Sequence, residues 1–234
     1  MTIQDLEEWM KQKKYVVSVV GGGGKSTLIA WLASRLSKAG RKVLVTTTTH
    51  IFFPEPEFYA VDGKAVRERW ADGRYAVIGS PEPQKGKLTV PSQELLTECV
   101  AQADTVLVEA DGAKRLPCKI PAEHEPVILP ESDLVIGVVG MSCLGKQLRD
   151  CCFRWEAVSS RGEEWMTEEL LAEILTSAKG IRKGTEARPY VVVLNQCDTE
   201  SLAASADRIK ALLKDRGVSE VISVSLKREL EKKI

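Results

Sequence analysis

The 234-residue chain carries 33 Lys and Arg against 33 Asp and Glu, a formal net charge of zero. That balance gives no electrostatic case for a nucleic-acid partner, and no basic stripe follows a helical period. The sequence also lacks the run of about 18 apolar residues that a membrane helix needs, and its length suits one domain, residues 1–234, with its own core and a modest insertion.

The opening MTIQDLEEWMKQKK turns from acidic to basic without the apolar core of a signal peptide, so a cytoplasmic protein without a membrane partner is expected. Leu6, Trp9 and Met10 predict a short leading helix. YVVSVV (15–20), continuous, β-branched and stopped by glycine, reads as a fully buried strand. STLIAWLASRLSKAG (26–40) is helical in period and ends on Gly40. KVLVT (42–46) is a second buried strand.

Between the first strand and the helix stands GGGGKST. Gly21, Gly22, Gly23 and Gly24 lose more backbone entropy on folding than any other four residues would. A buried strand, a glycine loop and Lys-Ser at a helix head form a phosphate-binding loop, with backbone N–H groups and the helix dipole facing the anion. Lys25 would reach the β- and γ-phosphates, Ser26 would ligate Mg²⁺, and Thr27 would stand beside them; side chains at 21–24 would crowd the phosphates. The standard GxxxxGK[ST] wants glycine where Val19 stands. The GGxGK[ST] register of P-loop proteins resembling MinD and nitrogenase iron protein fits Gly21, Gly22, Gly24, Lys25 and Ser26, with Val20 in place of that branch's extra lysine. Such deviant loops often go with dimers sharing a site, which leaves a homodimer open. A dinucleotide fingerprint fails, because Ser26 replaces its last glycine and Thr46 its ribose-binding acid.

TTTTH (46–50) follows at the carboxyl end of the second strand, the edge where open α/β sheets bind ligands. A hydroxyl of Thr47, Thr48 or Thr49 could complete Mg²⁺ coordination or sense a γ-phosphate, and Thr48 is taken as the metal candidate; plain β-propensity is the alternative. Residues 52–91, with FYAV, YAVIGS and KLTV between prolines, read as a small β-rich insertion. SQELLTECVAQA starts on a Ser cap and makes a helix.

TVLVEADGAK ends a third buried strand with Glu109 and Asp111, where a Walker B acid holds Mg²⁺. Two acids two residues apart on an extended chain point the same way, so one could ligate metal while the other orients a nucleophile; bracing the loop is the alternative. Lys114 and Arg115 would be free to touch phosphates or an anionic substrate. Residues 112–131, with four prolines, form a long ordered loop, a functional one by its length.

SDLVIGVVG is a fourth strand, MTEELLAEILTSA a helix, PYVVVLNQCD a fifth strand, SLAASADRIKALLKDRG a helix and EVISVS a last strand. Apolar strands alternating with helices predict an α/β fold, a mostly parallel P-loop NTPase-like sheet with helices on both faces. In NQCD, Asn195 and Asp198 are placed like the guanine-reading N-K-x-D of GTPases, with Gln196 at the lysine position, so GTP is favoured over ATP; ISVSL (222–226) could cover the other face of the base. A surface turn is the plain alternative. The six cysteines, Cys99, Cys118, Cys143, Cys151, Cys152 and Cys197, show no CxxC spacing, and His50 and His124 lie far apart, which argues against structural zinc. Buried thiols are expected, although adjacent Cys151 and Cys152 could bind a soft metal or carry sulfur or selenium.

Taken in order, VVSVVGGGGKST, KVLVTTTTHI, VLVEADGAKRLPCKIPAEHEPVI, GVVGMSCLGKQL, FRWE and VVVLNQCD resemble the YqeC family, across residues 15–200. The family pattern usually has lysine at Gln196 and histidine at Phe153. The resemblance implies a role in maturing a selenium-dependent molybdenum hydroxylase, such as installing selenium beside its molybdopterin cofactor, and so implies that hydroxylase or cofactor as a partner. Glu123, His124, Glu125 and Arg154 would be the family-specific residues, with Arg154 an internal arginine finger on the γ-phosphate or a structural ion pair. His124 reads as a loop hydrogen-bonder. Two readings follow: an enzyme in which Lys25, Ser26, Glu109 and Asp111 send the γ-phosphoryl group to water or an acceptor, or a slow nucleotide-switched module that hands cofactor or selenium to the apo-hydroxylase.

Overall fold

The computed structural model describes residues 1–159, 161–185 and 188–231. Helix α1 (Ile3–Lys11) begins on a Thr2–Asp5 capping box and buries Leu6 and Met10. Strand β1 (Tyr15–Gly21) is buried at every position, and after the glycine loop the chain enters α2 (Lys25–Lys38), whose Leu28, Trp31, Leu32 and Leu36 are buried. Strand β2 (Val43–Thr47) is buried throughout.

The next stretch differs from its sequence reading. It does contain three short strands, β3 (His50–Phe52), β5 (Ser80–Glu82) and β6 (Lys87–Thr89), forming an antiparallel sheet in the order β3-β6-β5. It also holds helix α3 (Gly63–Ala71), capped by Asp62, and strand β4 (Ala76–Val77), which joins the main sheet beside β2. FYAV is no strand; Tyr59 makes only an isolated bridge to Val77. The helix escapes the pattern because only Gly63 and Val66 of its nine residues are buried, too narrow an apolar stripe to show in the sequence.

Helix α4 (Gln93–Gln102) starts on Ser92 and leads into β7 (Thr105–Glu109). The proline loop carries β8 (Cys118–Lys119), which pairs with β10 (Cys152–Phe153); between them lie β9 (Leu134–Gly140) and the one-turn α5 (Leu148–Cys151). Helix α6 (Glu168–Thr176), strand β11 (Tyr190–Asn195), helix α7 (Glu200–Asp215), strand β12 (Val221–Ser223) and helix α8 (Leu226–Glu231) complete the order.

The main sheet runs β12-β11-β9-β1-β7-β2-β4 with every pair parallel. Alternation along β1 shows why both faces are covered. Val17 and Val19 join the core beneath α1 and α2, while Val16 packs with α4 and Val20 with the α6–α7 side. The chain therefore has the α/β architecture of P-loop NTPases, and among the described residues no helix is long and apolar enough to cross a membrane. All strand carboxyl ends meet at one edge. Register fixes them there: Glu109 stands opposite Val19 and Thr47, Gly21 opposite Val138, and Asn195 opposite Gly140.

Leu32 is fully buried between α2 and the sheet. Leu32→Ala is expected to lower unfolding free energy by about 2–5 kcal/mol, read as a lower urea midpoint with an unchanged m-value.

Candidate functional site

The four-glycine loop is shaped as much by the protein beneath it as by open space above. A Cβ on Gly21 (φ +97°) would stand 2.2 Å from the Val138 carbonyl oxygen, and one on Gly23 (φ +68°) 2.1 Å from the Gly140 nitrogen. The amides are engaged as well: Gly22 donates to Val138 O (2.8 Å) and Gly23 to Leu116 O (3.0 Å). The structure adds a second reason for glycine to the one given from sequence: side chains at 21 and 23 would collide with β9, one at 22 with the Leu116 carbonyl and one at 24 with the Asn195 side chain. Helices α1, α3, α4, α6 and α7 each begin on a Thr, Asp or Ser side chain that accepts from the first turn, whereas α2 begins at Gly24 without one. Its leading N–H groups have no intrahelical acceptor and stay available to an anion.

Below the loop, six ionisable groups alternate in sign. Lys25 Nζ donates to Gly21 O (2.6 Å) and lies 3.2 Å from Asp111 Oδ1 and 3.9 Å from Glu109 Oε1. Asp111 accepts the Gly21 amide at 3.1 and 3.0 Å and faces Lys119 Nζ across 3.1 Å. Lys119, fully buried, also donates to Gly112 O (2.8 Å) and to Glu125 Oε2 (2.8 Å), and Glu125 in turn pairs with Arg154 at 2.5 Å. Sequence reasoning singled out five of the six and missed Lys119. Its signal was a lysine set between Cys118 and Ile120 in an otherwise apolar stretch.

Ser26 Oγ donates to Glu109 Oε2 at 2.7 Å. A hydroxyl with one carboxylate fits Mg²⁺, which keeps several waters and takes its other oxygens from phosphates; Ser26 and Glu109 would hold it. No cluster of three His, Cys, Asp or Glu side chains suited to a metal exists among the described residues. Thr48, the metal candidate of the sequence, donates its hydroxyl to Val127 O (2.7 Å), and Thr47 donates to Glu109 O (2.8 Å), so both lace strand ends to neighbouring chain. Asp111 is buried beneath the loop rather than set on a cavity wall.

Two cavities continue along the edge. A basic one of 460 Å³ is walled by Gly23 to Thr27, Lys87, Glu109, Lys114 and Arg115. Lys114 (φ 47°) and Arg115 (φ 64°) both adopt the left-handed conformation, a strain that the loop holds at this wall. The second, 540 Å³, shares Gly24, Thr27 and Gln196 with the first and is lined further on by Asn195, Asp198 and Leu226. Asn195 is a strut: its Nδ2 donates to Gly23 O (2.8 Å) and its Oδ1 accepts from Leu226 N (3.1 Å). Asp198 is exposed, with Oδ1 accepting from Ser225 Oγ at 2.5 Å. Glu123 and His124 are exposed elsewhere on the proline loop, and Arg154 is absent from the walls of both cavities.

Residues 17–156 match the family model described as YqeC protein. The chain belongs to the YqeC family. It is 36% identical over 151 residues to the protein of Escherichia coli (strain K12) called Uncharacterized protein YqeC; the match covers 59% of this chain and 56% of that relative. The YqeC match contains the glycine loop, the threonines and all six alternating charges, while the Asn195–Asp198 turn lies beyond it. Cys151 and Cys152, also inside it, are buried, and burial pushes the Cys151 thiol up to about 11, which leaves it protonated and a poor nucleophile at neutral pH.

The two outer carboxylates of the charge chain titrate in opposite senses. Burial raises Glu109, with Lys25 and the Ser26 hydroxyl opposing it only in part. Burial would raise Glu125 too, but the hydrogen bond and charge of Lys119, the Ala122 amide and Arg154 prevail and hold it at about 2. Ionised Glu125 therefore stabilises the fold above pH 4.5 by about 3 kcal/mol, and that contribution disappears as pH falls from 4.5 towards 2. Glu109 works the other way, and its cost is relieved on acidification. Glu125→Gln is expected to be less stable than the wild type in urea unfolding at pH 7, with the gap closing near pH 2–3. Lys119→Met should cost about 3–5 kcal/mol at pH 7, since it takes one of two cations from each of the buried carboxylates Asp111 and Glu125 and leaves the Gly112 carbonyl without its donor; denaturation midpoints near wild type would contradict the charge chain.

Proposed function

We propose that the chain binds a nucleoside triphosphate with Mg²⁺ in the cytoplasm, prefers guanine to adenine, and hydrolyses or transfers the γ-phosphoryl group. The observation that carries this is the Ser26–Glu109 hydrogen bond of 2.7 Å, made at the head of an uncapped helix that follows the glycine loop and Lys25. A loop, a lysine, a hydroxyl and a strand-end acid are the parts that phosphoryl transfer requires. The nucleotide's phosphates would draw Lys25 off Asp111, while Lys114 and Arg115 face them across the basic cavity. Bound Mg²⁺ would neutralise charge on the β- and γ-oxygens. For the base, Asn195 holds its turn against both the glycine loop and the Ser225–Leu226 backbone, and Asp198 stands on the neighbouring cavity as an acceptor for guanine's N1 and N2 donors.

The biological setting we propose is the one implied by the family resemblance, maturation of a selenium-dependent molybdenum hydroxylase, with that enzyme or its molybdopterin cofactor as partner. One observation favours a slow switch over a fast enzyme. The charge chain ties Lys25 to Glu125 and Arg154 through Asp111 and Lys119, so a change at the phosphates alters the balance of charge under the proline loop. Turnover by the purified protein alone separates the two readings.

Calorimetric titration with GTP and with ATP, each with Mg²⁺, tests the base preference. GTP is expected to bind at least tenfold tighter, about 1.4 kcal/mol, and Asp198→Ala should abolish that advantage. Equal affinities indifferent to Asp198 would return the turn to a surface feature, and no binding of either nucleotide would remove the reading altogether.

A further inference from the structure

A third cavity of 280 Å³ opens from the Ser26–Glu109 pair on the side away from Asp198, between α2, β2 and the chain that follows β3. It shares Ser26, Ile51, Phe52 and Glu109 with the basic cavity, so the two meet where a terminal phosphate would lie. Their chemistry is opposite. The basic cavity presents Lys25, Lys87, Lys114 and Arg115, whereas among the described residues no Lys, Arg or His lines the third, whose charged groups there are the carboxylates Glu55 and Glu109.

Phe52 is the partition. Lys87 Nζ and the Arg115 guanidinium lie 5.3 and 4.7 Å from its ring centroid, and these cations belong to the basic side. Phe52 and Phe53 are 55% and 42% exposed, unusual for such large apolar groups beside a polar site. Phe58 and Tyr75, stacked on each other at 4.2 Å and 4°, form a rigid aromatic pair in the wall of the same cavity. An aromatic-walled slot with a few polar groups at one end is the form of a small-molecule site.

We infer that this cavity is a second ligand subsite, for a flat, uncharged small molecule with an apolar body that presents a hydrogen-bond donor to Glu109. The aromatic walls bury the body, the two carboxylates reject an anion, and the donor end sits beside Ser26. The subsite rests on the nucleotide reading for the identity of its neighbour, the terminal phosphate. Its own recognition rests on the walls alone.

Fluorescence titration with 2-naphthalenemethanol and with 2-naphthoate tests this, because the two share a ring and differ in charge and donor. The alcohol is expected to bind one per chain, at least tenfold more tightly than the acid. Ala30 is exposed on α2, lines this cavity and does not line the basic one. Ala30→Trp should therefore fill the slot and weaken the alcohol at least tenfold, while calorimetric affinity for GTP with Mg²⁺ and the melting temperature stay near wild type. Phe53→Ala, at a half-exposed ring, should weaken the alcohol without Trp's bulk. No binding of the alcohol, equal binding of the acid, or indifference to both substitutions would overturn the subsite while leaving the nucleotide reading intact. Loss of GTP binding by the wild type with the alcohol still bound would do the reverse.

Discussion

The Asp111 carboxylate is the constraint around which the rest is built. It is 2% exposed, accepts the amide that ends β1, and faces two lysines at 3.2 and 3.1 Å. An isolated carboxylate in that position would be very unfavourable, and pairing offsets its desolvation only when geometry and hydrogen bonds are good. Every neighbour answers that need. Lys119 cannot reach Asp111 without being buried itself, so it takes Glu125 and the Gly112 carbonyl as well, and Glu125 takes Arg154. The 20-residue proline loop is thereby pinned by charge as well as by Cys118 and Ile120 in the core, and only β8 gives it regular structure.

On the nucleotide reading proposed above, this arrangement would let one lysine serve two states. Lys25 has a partner in Asp111 now, and a phosphate would offer it a better one. Asp111 does not become unpaired when Lys25 leaves, because Lys119 and the Gly21 amide stay with it. The local cost of moving Lys25 is therefore limited by a second buried cation. Removing Lys119 instead exposes the asymmetry of buried ion pairs, whose loss on one side costs more than their formation contributes.

What was legible in the sequence follows the same physics. Strands β1, β7, β9 and β11 are apolar on both faces because helices cover both, and such runs announce themselves; the glycine loop and its Lys-Ser do too. Helix α3, with two buried residues, and α8, with only Leu226 buried, lack the stripe that makes a helix readable. Lys119 was hidden because a charged residue in a loop is ordinarily solvated, and nothing local says that three acceptors converge on it. The threonines were ambiguous for a related reason. Residue type identifies a hydroxyl near the edge, but only the register shows that Thr47 and Thr48 bond backbone while Thr46 lines the apolar cavity.

Asn195 shows how a motif located from sequence carries a structural task that residue type alone does not announce. Strand β11 ends one strand away from β1, so its terminal side chain falls within reach of the glycine loop. An amide with both a donor and an acceptor can join two backbones at once, Gly23 on one side and Leu226 on the other. Aspartate in its place would keep the acceptor and lose the donor, and lysine would do the opposite; neither could hold the loop and the last strand's exit together. The carboxylate three residues later is thereby left free of bracing duty apart from Ser225, and the cavity beside it stands open between the two parts that Asn195 ties. Position along the edge then orders the chemistry: a cavity with Asn195 and Asp198 at β11, a basic cavity at β1 and β7, and an apolar one at β2. That order comes from strand order in the sheet, because each strand delivers its own terminal side chains to the same edge.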